Sequence, residues 1–346
     1  MNPDVEQGIM EINYIVIIIV MPMPLISVII SAHDRRSYIK EALESCLNQS
    51  FPQDKYEVIV VKNFTDVDID AYIAKYKVES ILTDKITLGQ KMAAGIEKSS
   101  GSVICFLDDD DKFTQDKLAE ISNSFNSIKN LGYFHNGQIT IDEAGNVSKK
   151  ELSAHPESDI LIEELSAHAI RKARKYNGDW FMSCISVSRD LAMRTLPLLK
   201  EQKASFDKLF FYNSILLDMK MMISSKKLTY YRLHPSMTTI VDEKGSFFEK
   251  KIDFFLSTSN ALQSIIPQGK NLKRNLLELA FLHEAVNYSV LSGKKIKLRD
   301  LIKYMRLALT IGTSSDRKWA VLYILNMISH NLARNIYFRT MSELYS

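Results

Sequence analysis

Cysteine is scarce in this sequence. Cys46, Cys105 and Cys184 are the three cysteines among 346 residues, and they lie far apart. That spacing offers neither a disulfide framework nor the paired cysteines of a zinc site. We therefore expect a reducing compartment, with the protein in the cytoplasm or held peripherally at the inner face of the cell membrane.

The sequence also lacks a hydrophobic run long enough to cross a bilayer. The apolar stretch 14–20 is followed by Pro22 and Pro24, and it is far shorter than the roughly 20 residues that a spanning helix needs. It has neither the basic flank nor the cleavage site of a signal peptide. We expect residues 1–24 to be an N-terminal extension. It would be an extra edge strand, an upstream segment with translation starting at a later methionine, or a transient membrane contact.

A strong excess of charge is absent as well. With 44 basic and 41 acidic side chains, the net charge is +3, which is too small to indicate a nucleic-acid partner. Apolar residues make up 46% of the chain and no repeat or low-complexity tract occurs. The length exceeds that of one typical domain and suffices for a sizeable core.

What the sequence does contain is an alternation of strands and helices in its first half. Short β-branched runs are separated by helical patterns, which predicts an α/β fold with a mostly parallel sheet and right-handed crossovers. The predicted strands are 25–31, 57–61, 79–82 and 103–107. A returning strand is expected within 179–188, a helix beginning near Phe206, and a last strand over 227–232.

Four consecutive aspartates, Asp108 to Asp111, directly follow the strand 103–107. Alternate residues of an extended segment point the same way, so Asp108 and Asp110 can share one side. Paired carboxylates suit a hard divalent cation such as Mn²⁺ or Mg²⁺, with phosphate oxygens completing its coordination. The alternative is an exposed acidic turn that caps the next helix.

The order and spacing of these elements, ending in Leu-Asp-x-Asp-Asp, resemble the nucleotide-sugar-binding half of family-two glycosyltransferases with the GT-A fold. The resemblance covers 25–134 well and 178–239 more loosely. It implies a Rossmann-like GT-A domain over 25–244. The sequence pattern beyond that domain predicts a separate helical region over 245–346. Apolar residues at helical spacing predict helices over 247–266, 272–291, 298–309 and 319–338.

The resemblance also assigns roles to the acidic turn and to the motif Tyr-Arg-x-His at 231–234. It implies that Asp108 faces the ribose and the metal and that Asp110 is a direct metal ligand. Asp109 is the variable position and a candidate for contact with the nucleotide-sugar, and Asp111 is expected to be a structural carboxylate that supports the ligands. His234 would complete a Mn²⁺ site, and Arg232 would neutralise phosphate. The alternative for His234 is a histidine that forms hydrogen bonds in a loop before proline.

Residues after the first two strands and at the third helix are the candidates for contact with the nucleotide. They are Ala32, Asp34, Asn63, Gly89 and Lys91. Family members commonly carry acidic residues after the second strand, where this chain has Lys-Asn-Phe at 62–64. The amide of Asn63 can still accept a hydrogen bond from a pyrimidine. For Lys91, a solvated side chain is the alternative to a phosphate contact.

The resemblance implies a carboxylate base at the start of a helix after the returning strand, often as Glu-Asp. Here that place reads Ser-Phe-Asp, so Asp207 is the remaining candidate. A helix N-terminus favours the ionised carboxylate that a base requires. A simple helix-start aspartate is the alternative. One base without a second nucleophilic carboxylate implies inversion at the anomeric carbon.

Taken together, we expect a metal-dependent inverting glycosyltransferase that uses a nucleotide-diphosphate sugar and a glycan or lipid-linked acceptor. A nucleotidyltransferase is the alternative enzyme, although the first loop lacks the glycines of a phosphate loop. A catalytically inactive GT-A scaffold is the alternative without activity. The apolar pattern and basic flanks of 319–338 predict a peripheral membrane contact or a homo-oligomer. The alternative is that this apolar face packs on the catalytic domain.

Overall fold

The computed structural model describes residues 26–33, 36–84, 87–152, 154–201, 206–234 and 246–345. The expectations for residues 1–24 and for Asp34 lie outside these ranges. Four parallel strands form one half of the sheet, in the order β3-β2-β1-β4. They are β1 (Ile26–Ala32), β2 (Tyr56–Lys62), β3 (Glu79–Leu82) and β4 (Val103–Asp108). Helices α1 (Ile39–Leu47), α2 (Val67–Lys75) and α3 (Leu88–Lys98) alternate with them. The strands predicted from the sequence are confirmed to within a residue or two.

The other half of the sheet is mixed. Its strands are β5 (Lys112–Phe113), β6 (Leu131–Ile141), β7 (Ile160–Ile162), β8 (Ile185–Ser188) and β9 (Lys220–Arg232). The order continues as β4-β8-β6-β9-β5, with β7 also paired to β9. Its helices are α4 (Lys117–Ser127), α5 (Ala167–Lys175), α6 (Arg189–Glu201) and α7 (Phe206–Leu216). The returning strand is shorter than predicted and β9 is longer. Helix α6 was not predicted, and it contains Pro197, a residue that normally interrupts helices.

Hydrophobic layers cover both faces of the sheet, as the β-branched strands require. Alternate residues of each strand enter opposite layers. Ile29 and Phe106 belong to one buried cluster, whereas Ile30 and Leu107 belong to the other. The three cysteines are buried free thiols, and burial raises the pKa of Cys46 and Cys184 to about 12. They are therefore unreactive core residues.

Five helices follow the sheet. They are α8 (Ser246–Ser264), α9 (Leu272–Ser292), α10 (Leu298–Thr310), α11 (Ser314–Ile328) and α12 (His330–Tyr345). The single helix predicted over 319–338 is in fact two helices that meet at Ser329. Ala261 and Leu277 join the cluster that covers the sheet, and α9 to α12 form a third buried cluster. None of the described helices is long and apolar enough to cross a membrane. The boundary between 244 and 245 stays a prediction.

Candidate functional site

The parallel strands bring three chain segments to one edge of the sheet. Ala32 pairs with Lys62 across β1 and β2, and Ser31 pairs with Asp108 across β1 and β4. The carboxyl ends of all three strands therefore lie side by side, which is where open α/β sheets bind ligands. This register brings Ala32, Asn63 and the aspartates to the same edge of the sheet.

The acidic turn after β4 collects carboxylates. Oxygen atoms of Asp108, Asp110 and Asp111 lie within 4.8 Å of one another. The backbone N–H of Arg232 donates to Asp111 at 3.0 Å. Burial, with the neighbouring carboxylates of Asp110 and Asp108, holds the pKa of Asp111 well above its ordinary value. Three carboxylates at this distance are the donor set of a hard cation.

Asp109 takes no part in this cluster. Its side chain is buried and accepts a hydrogen bond from the backbone N–H of His33 at 3.1 Å. Asp108 and Asp110 lie together as expected, but strand alternation is not the reason, because Asp109 and Asp110 lie in a turn and Asp111 joins the cluster. Asp109 ties the acidic turn to the residue that follows β1.

His234 lies next to Asp110, as the Tyr-Arg-x-His pattern implies. Its Nε2 is 2.9 Å from Oδ2 of Asp110, and the imidazole is buried with its ring 5.1 Å from that of Tyr38. Strand β9 pairs with β5, which directly follows the acidic turn, and this pairing carries His234 to the carboxylates. Asp108, Asp110 and His234 thus form a continuous group.

Arg232 is fully buried, and protein groups surround its guanidinium. It donates to the carbonyl of Asp110 at 2.9 Å and to the carbonyl of Glu143 at 2.7 Å. It also pairs with Glu41 at 2.9 Å and stacks over Tyr38. Burial raises the pKa of Glu41, but hydrogen bonds from Arg232 and Lys112 bring it below its ordinary value. Arg232 therefore fixes the backbone of the acidic turn.

Lys91 is also buried rather than solvated. Its ammonium donates to the carbonyl of Ala32 at 3.2 Å and lies 2.5 Å from Nδ1 of His33. The Lys91 side chain therefore stabilises the end of β1. Gly89 is buried in the first turn of α3, and Asn63 is half-buried directly after β2. Whether these residues contact a nucleotide stays a prediction.

Asp207 is the second residue of α7, and α7 packs on the strand that leads to the acidic turn. Phe210 stacks on Phe106 with ring centroids 5.0 Å apart. Burial raises the pKa of Asp207 to about 6, although Lys208 opposes this shift. Burial thus opposes the ionised form that the helix N-terminus was expected to favour, but with a pKa of about 6 the carboxylate is still ionised at neutral pH. Its role as a base stays a prediction.

The surroundings of Asp207 include a residue that sequence analysis missed. The Lys208 ammonium pairs with the carboxylate of Glu284 from α9 and lies 4.2 Å from the Trp180 ring centroid. Asp179, another carboxylate near Asp207, forms an ion pair with Arg174 at 3.3 Å. Glu284 lies 76 residues from Lys208 in the sequence, and no local pattern marks it.

Ser183 is a second missed residue. Its hydroxyl accepts a hydrogen bond from the Asp108 backbone N–H at 3.0 Å, and its carbonyl accepts from buried Lys117 at 2.7 Å. Burial lowers the pKa of Lys117 to about 8. Phe181, two residues earlier, has a left-handed backbone with φ of 65°, a strained conformation for an aromatic residue.

Comparison with known proteins relates the N-terminal part of this chain to one family. Residues 27–184 match the family model described as Glycosyl transferase family 2. An uncharacterised glycosyltransferase of Haemophilus influenzae is 33% identical over 37% of this chain and 53% of its own length. Another, of Rickettsia bellii, is 36% identical over 35% of this chain but only 18% of its own length. The chain thus spans about half, or less, of these two relatives.

Two further comparisons extend over more of the chain. The putative teichuronic acid biosynthesis glycosyltransferase TuaG of Bacillus subtilis is 28% identical over 51% of this chain and 73% of its own length. The crystal structure of S. aureus TarS 1-349 has a TM-score of 0.58 at 17% identity and covers 92% of this chain and 90% of TarS 1-349. This likeness is one of fold, and it confirms the predicted α/β GT-A class with its C-terminal helices.

Proposed function

We propose that this chain, whose residues 27–184 match the family model described as Glycosyl transferase family 2, transfers a sugar from a nucleotide-diphosphate sugar to a hydroxyl group. One observation carries this proposal. The carboxylates of Asp108, Asp110 and Asp111, with His234 beside Asp110, lie at the edge where three parallel strands end. That edge is the ligand-binding edge of such sheets.

The donor set at this edge fits a divalent cation. Asp108 and Asp110 supply hard oxygen ligands, and His234 supplies a nitrogen ligand. Burial, and after it the carboxylates of Asp110 and Asp108, raise the pKa of Asp111, so these carboxylates lie close enough to repel one another. Mn²⁺ or Mg²⁺ held there would neutralise the charge of a diphosphate leaving group. We propose Asp108, Asp110 and His234 as the ligands of this cation.

The chain's own residues would divide the remaining work. Ala32, Asn63 and Gly89 lie along the edge where the nucleoside would bind, and Asp109 and Lys91 hold the end of β1 in place there. Lys91 and Arg232 would help to position the donor indirectly, because they hold the end of β1 and the acidic turn. Asp207 would accept the proton of the acceptor hydroxyl as it attacks. A single base of this kind gives inversion.

The relatives suggest which donor and acceptor classes to test first. TarS 1-349 has been crystallised in complex with UDP-GlcNAc. A Campylobacter jejuni relative, 27% identical over 46% of this chain, is named as a glucosyltransferase that acts on a saccharide linked to PP-undecaprenol. We therefore propose a UDP-sugar as the first donor class, and a glycan or lipid-linked saccharide as the acceptor.

A thermal-shift screen of nucleoside diphosphates with Mn²⁺ and Mg²⁺ tests this function. A bound nucleotide at 100 times its Kd adds about 2.7 kcal/mol of stability, which raises Tm by a few degrees. We expect one nucleotide to raise Tm with a divalent ion and to lose most of this effect in EDTA. If no nucleotide shifts Tm under any condition, an inactive scaffold is favoured instead.

Arg232→Met tests how the acidic turn is held. The substitution removes hydrogen bonds to the Asp110 and Glu143 carbonyls and leaves Glu41 without its buried partner. We expect a loss of about 2–4 kcal/mol in denaturant unfolding. We also expect a Mn²⁺ affinity about 10–100-fold weaker, because outer-shell partners orient ligands.

The matched control is Arg194→Met, which removes an exposed helix pair with Asp190. Such a pair is worth about 0.3–0.5 kcal/mol, and Mn²⁺ affinity should not change. Equal effects of the two substitutions would show that Arg232 does not position the turn.

A further inference from the structure

The C-terminal part of the chain carries an excess of positive charge. Between Lys294 and Ser346 there are ten lysines and arginines against three acidic residues, a net charge of +7, although the whole chain has +3. The rest of the chain is therefore net negative. Eight of the ten basic residues are exposed: Lys294, Lys295, Lys297, Arg299, Arg306, Arg317, Lys318 and Arg339.

The same region exposes large apolar side chains at helical spacing. On α10, Leu298, Ile302 and Leu309 are 63%, 59% and 68% exposed. Around the junction of α11 and α12, Ile328 is 79% exposed and Leu332 is 49% exposed. The opposite faces of these helices are packed, since Tyr304, Tyr323 and Tyr337 lie in the third buried cluster. The exposed residues are therefore not needed for that core.

The basic loop between α9 and α10 lies against the junction of α11 and α12. Gly293 ends α9 in a left-handed conformation with φ of 73°, and a Cβ at this position would lie 3.3 Å from Nε2 of His330. The backbone N–H of Ile296 donates to the Tyr323 hydroxyl at 3.1 Å. The lysines at 294, 295 and 297 therefore lie beside the helix ends that expose Ile328 and Leu332.

We propose that this surface, formed by 294–299 and 327–332, binds an anionic lipid bilayer. Exposed lysines beside exposed aliphatic side chains match a layer of negative headgroups over acyl chains. A second copy of the chain fits less well, because a two-fold interface would bring like charges together. The proposal is independent of the sugar-transfer function and would also stand for an inactive protein.

Vesicle flotation at low salt tests the proposal on the full chain. We expect binding to vesicles of phosphatidylglycerol and phosphatidylcholine, little binding to pure phosphatidylcholine, and release at high salt. The triple variant Lys294→Glu, Lys295→Glu, Lys297→Glu should bind on the order of 10²-fold more weakly. Its matched control reverses three exposed lysines elsewhere, Lys129, Lys149 and Lys250, and should keep most of the binding.

A second pair of variants tests the apolar contribution. Leu298→Ser with Ile328→Ser should weaken binding about tenfold or more, whereas Val67→Ser with Val147→Ser, at sites 87% and 67% exposed, should not. These are surface changes, so unaltered far-UV circular dichroism is expected. Wild-type protein that stays off anionic vesicles at low salt overturns the proposal. A triple variant that binds vesicles as tightly as its control also overturns the proposal. The same holds if the main change in the triple variant is loss of a dimer in sedimentation.

Discussion

Asp110→Asn is expected to abolish sugar transfer, with kcat/KM lowered on the order of 10³-fold or more. The change removes a central carboxylate of the cluster and the partner of His234. A bound cation supplies several kcal/mol of charge stabilisation, and about 4 kcal/mol corresponds to that factor. The fold should survive, because one of three mutually repelling carboxylates loses its charge. Steady-state assays with and without Mn²⁺ measure the effect.

Asp116→Asn is the control for this substitution. Asp116 is exposed and lies just before α4. Its carboxylate accepts a hydrogen bond from the hydroxyl of nearby Thr114. The Asp116→Asn substitution removes the same charge six residues after Asp110, and it should leave kcat/KM within about twofold of the wild-type value. An Asp110→Asn enzyme with wild-type activity would exclude Asp110 as an essential ligand.

Asp207→Asn is expected to lower kcat on the order of 10²–10⁴-fold, as for a lost general base, with little change in nucleotide affinity. The amide keeps the shape of the carboxylate but cannot take a proton. In wild-type enzyme, kcat should fall as the pH drops through about 6, where Asp207 becomes protonated. This acidic limb should be missing from the residual activity of the variant.

Stability gives a second measurement on the same variant. The pKa of Asp207 is raised on folding, so the native state holds a proton that the unfolded chain has released between about pH 4 and 6. Stability from this group is therefore present at low pH and is lost as pH rises through about 6. Asp207→Asn removes that loss and should be at least as stable as wild type at pH 8. A variant that keeps its kcat would move the role to Asp179.

Strands β1, β2 and β4 were predictable because each is a short, mostly apolar run rich in β-branched residues. The acidic cluster was predictable in part: the strand before it fixes where Asp108 points, whereas Asp110 lies in the turn and Asp111 joins the cluster. The fold class, confirmed by the likeness to TarS 1-349, follows from the alternation of strands and helices. The roles proposed for the site residues stay predictions.

Burial of charged side chains could not be read from the sequence. Arg232 and Lys91 looked like phosphate ligands, yet both are fully buried and bind protein groups. Their partners, Glu41 and the Ala32 carbonyl, are distant in sequence. Glu284 beside Lys208 was missed for this reason too. The break at Ser329 was hidden because apolar residues continue at helical spacing on both sides.

Mn²⁺ binding followed by electron paramagnetic resonance tests the central claim most directly. With saturating nucleoside diphosphate, the account predicts one bound Mn²⁺ per wild-type chain. It predicts loss of that ion in Asp110→Asn, weaker binding in His234→Ala, and no change in Asp116→Asn. Asp110→Asn protein that binds Mn²⁺ and the nucleotide as tightly as wild type would contradict a cation site at the end of β4.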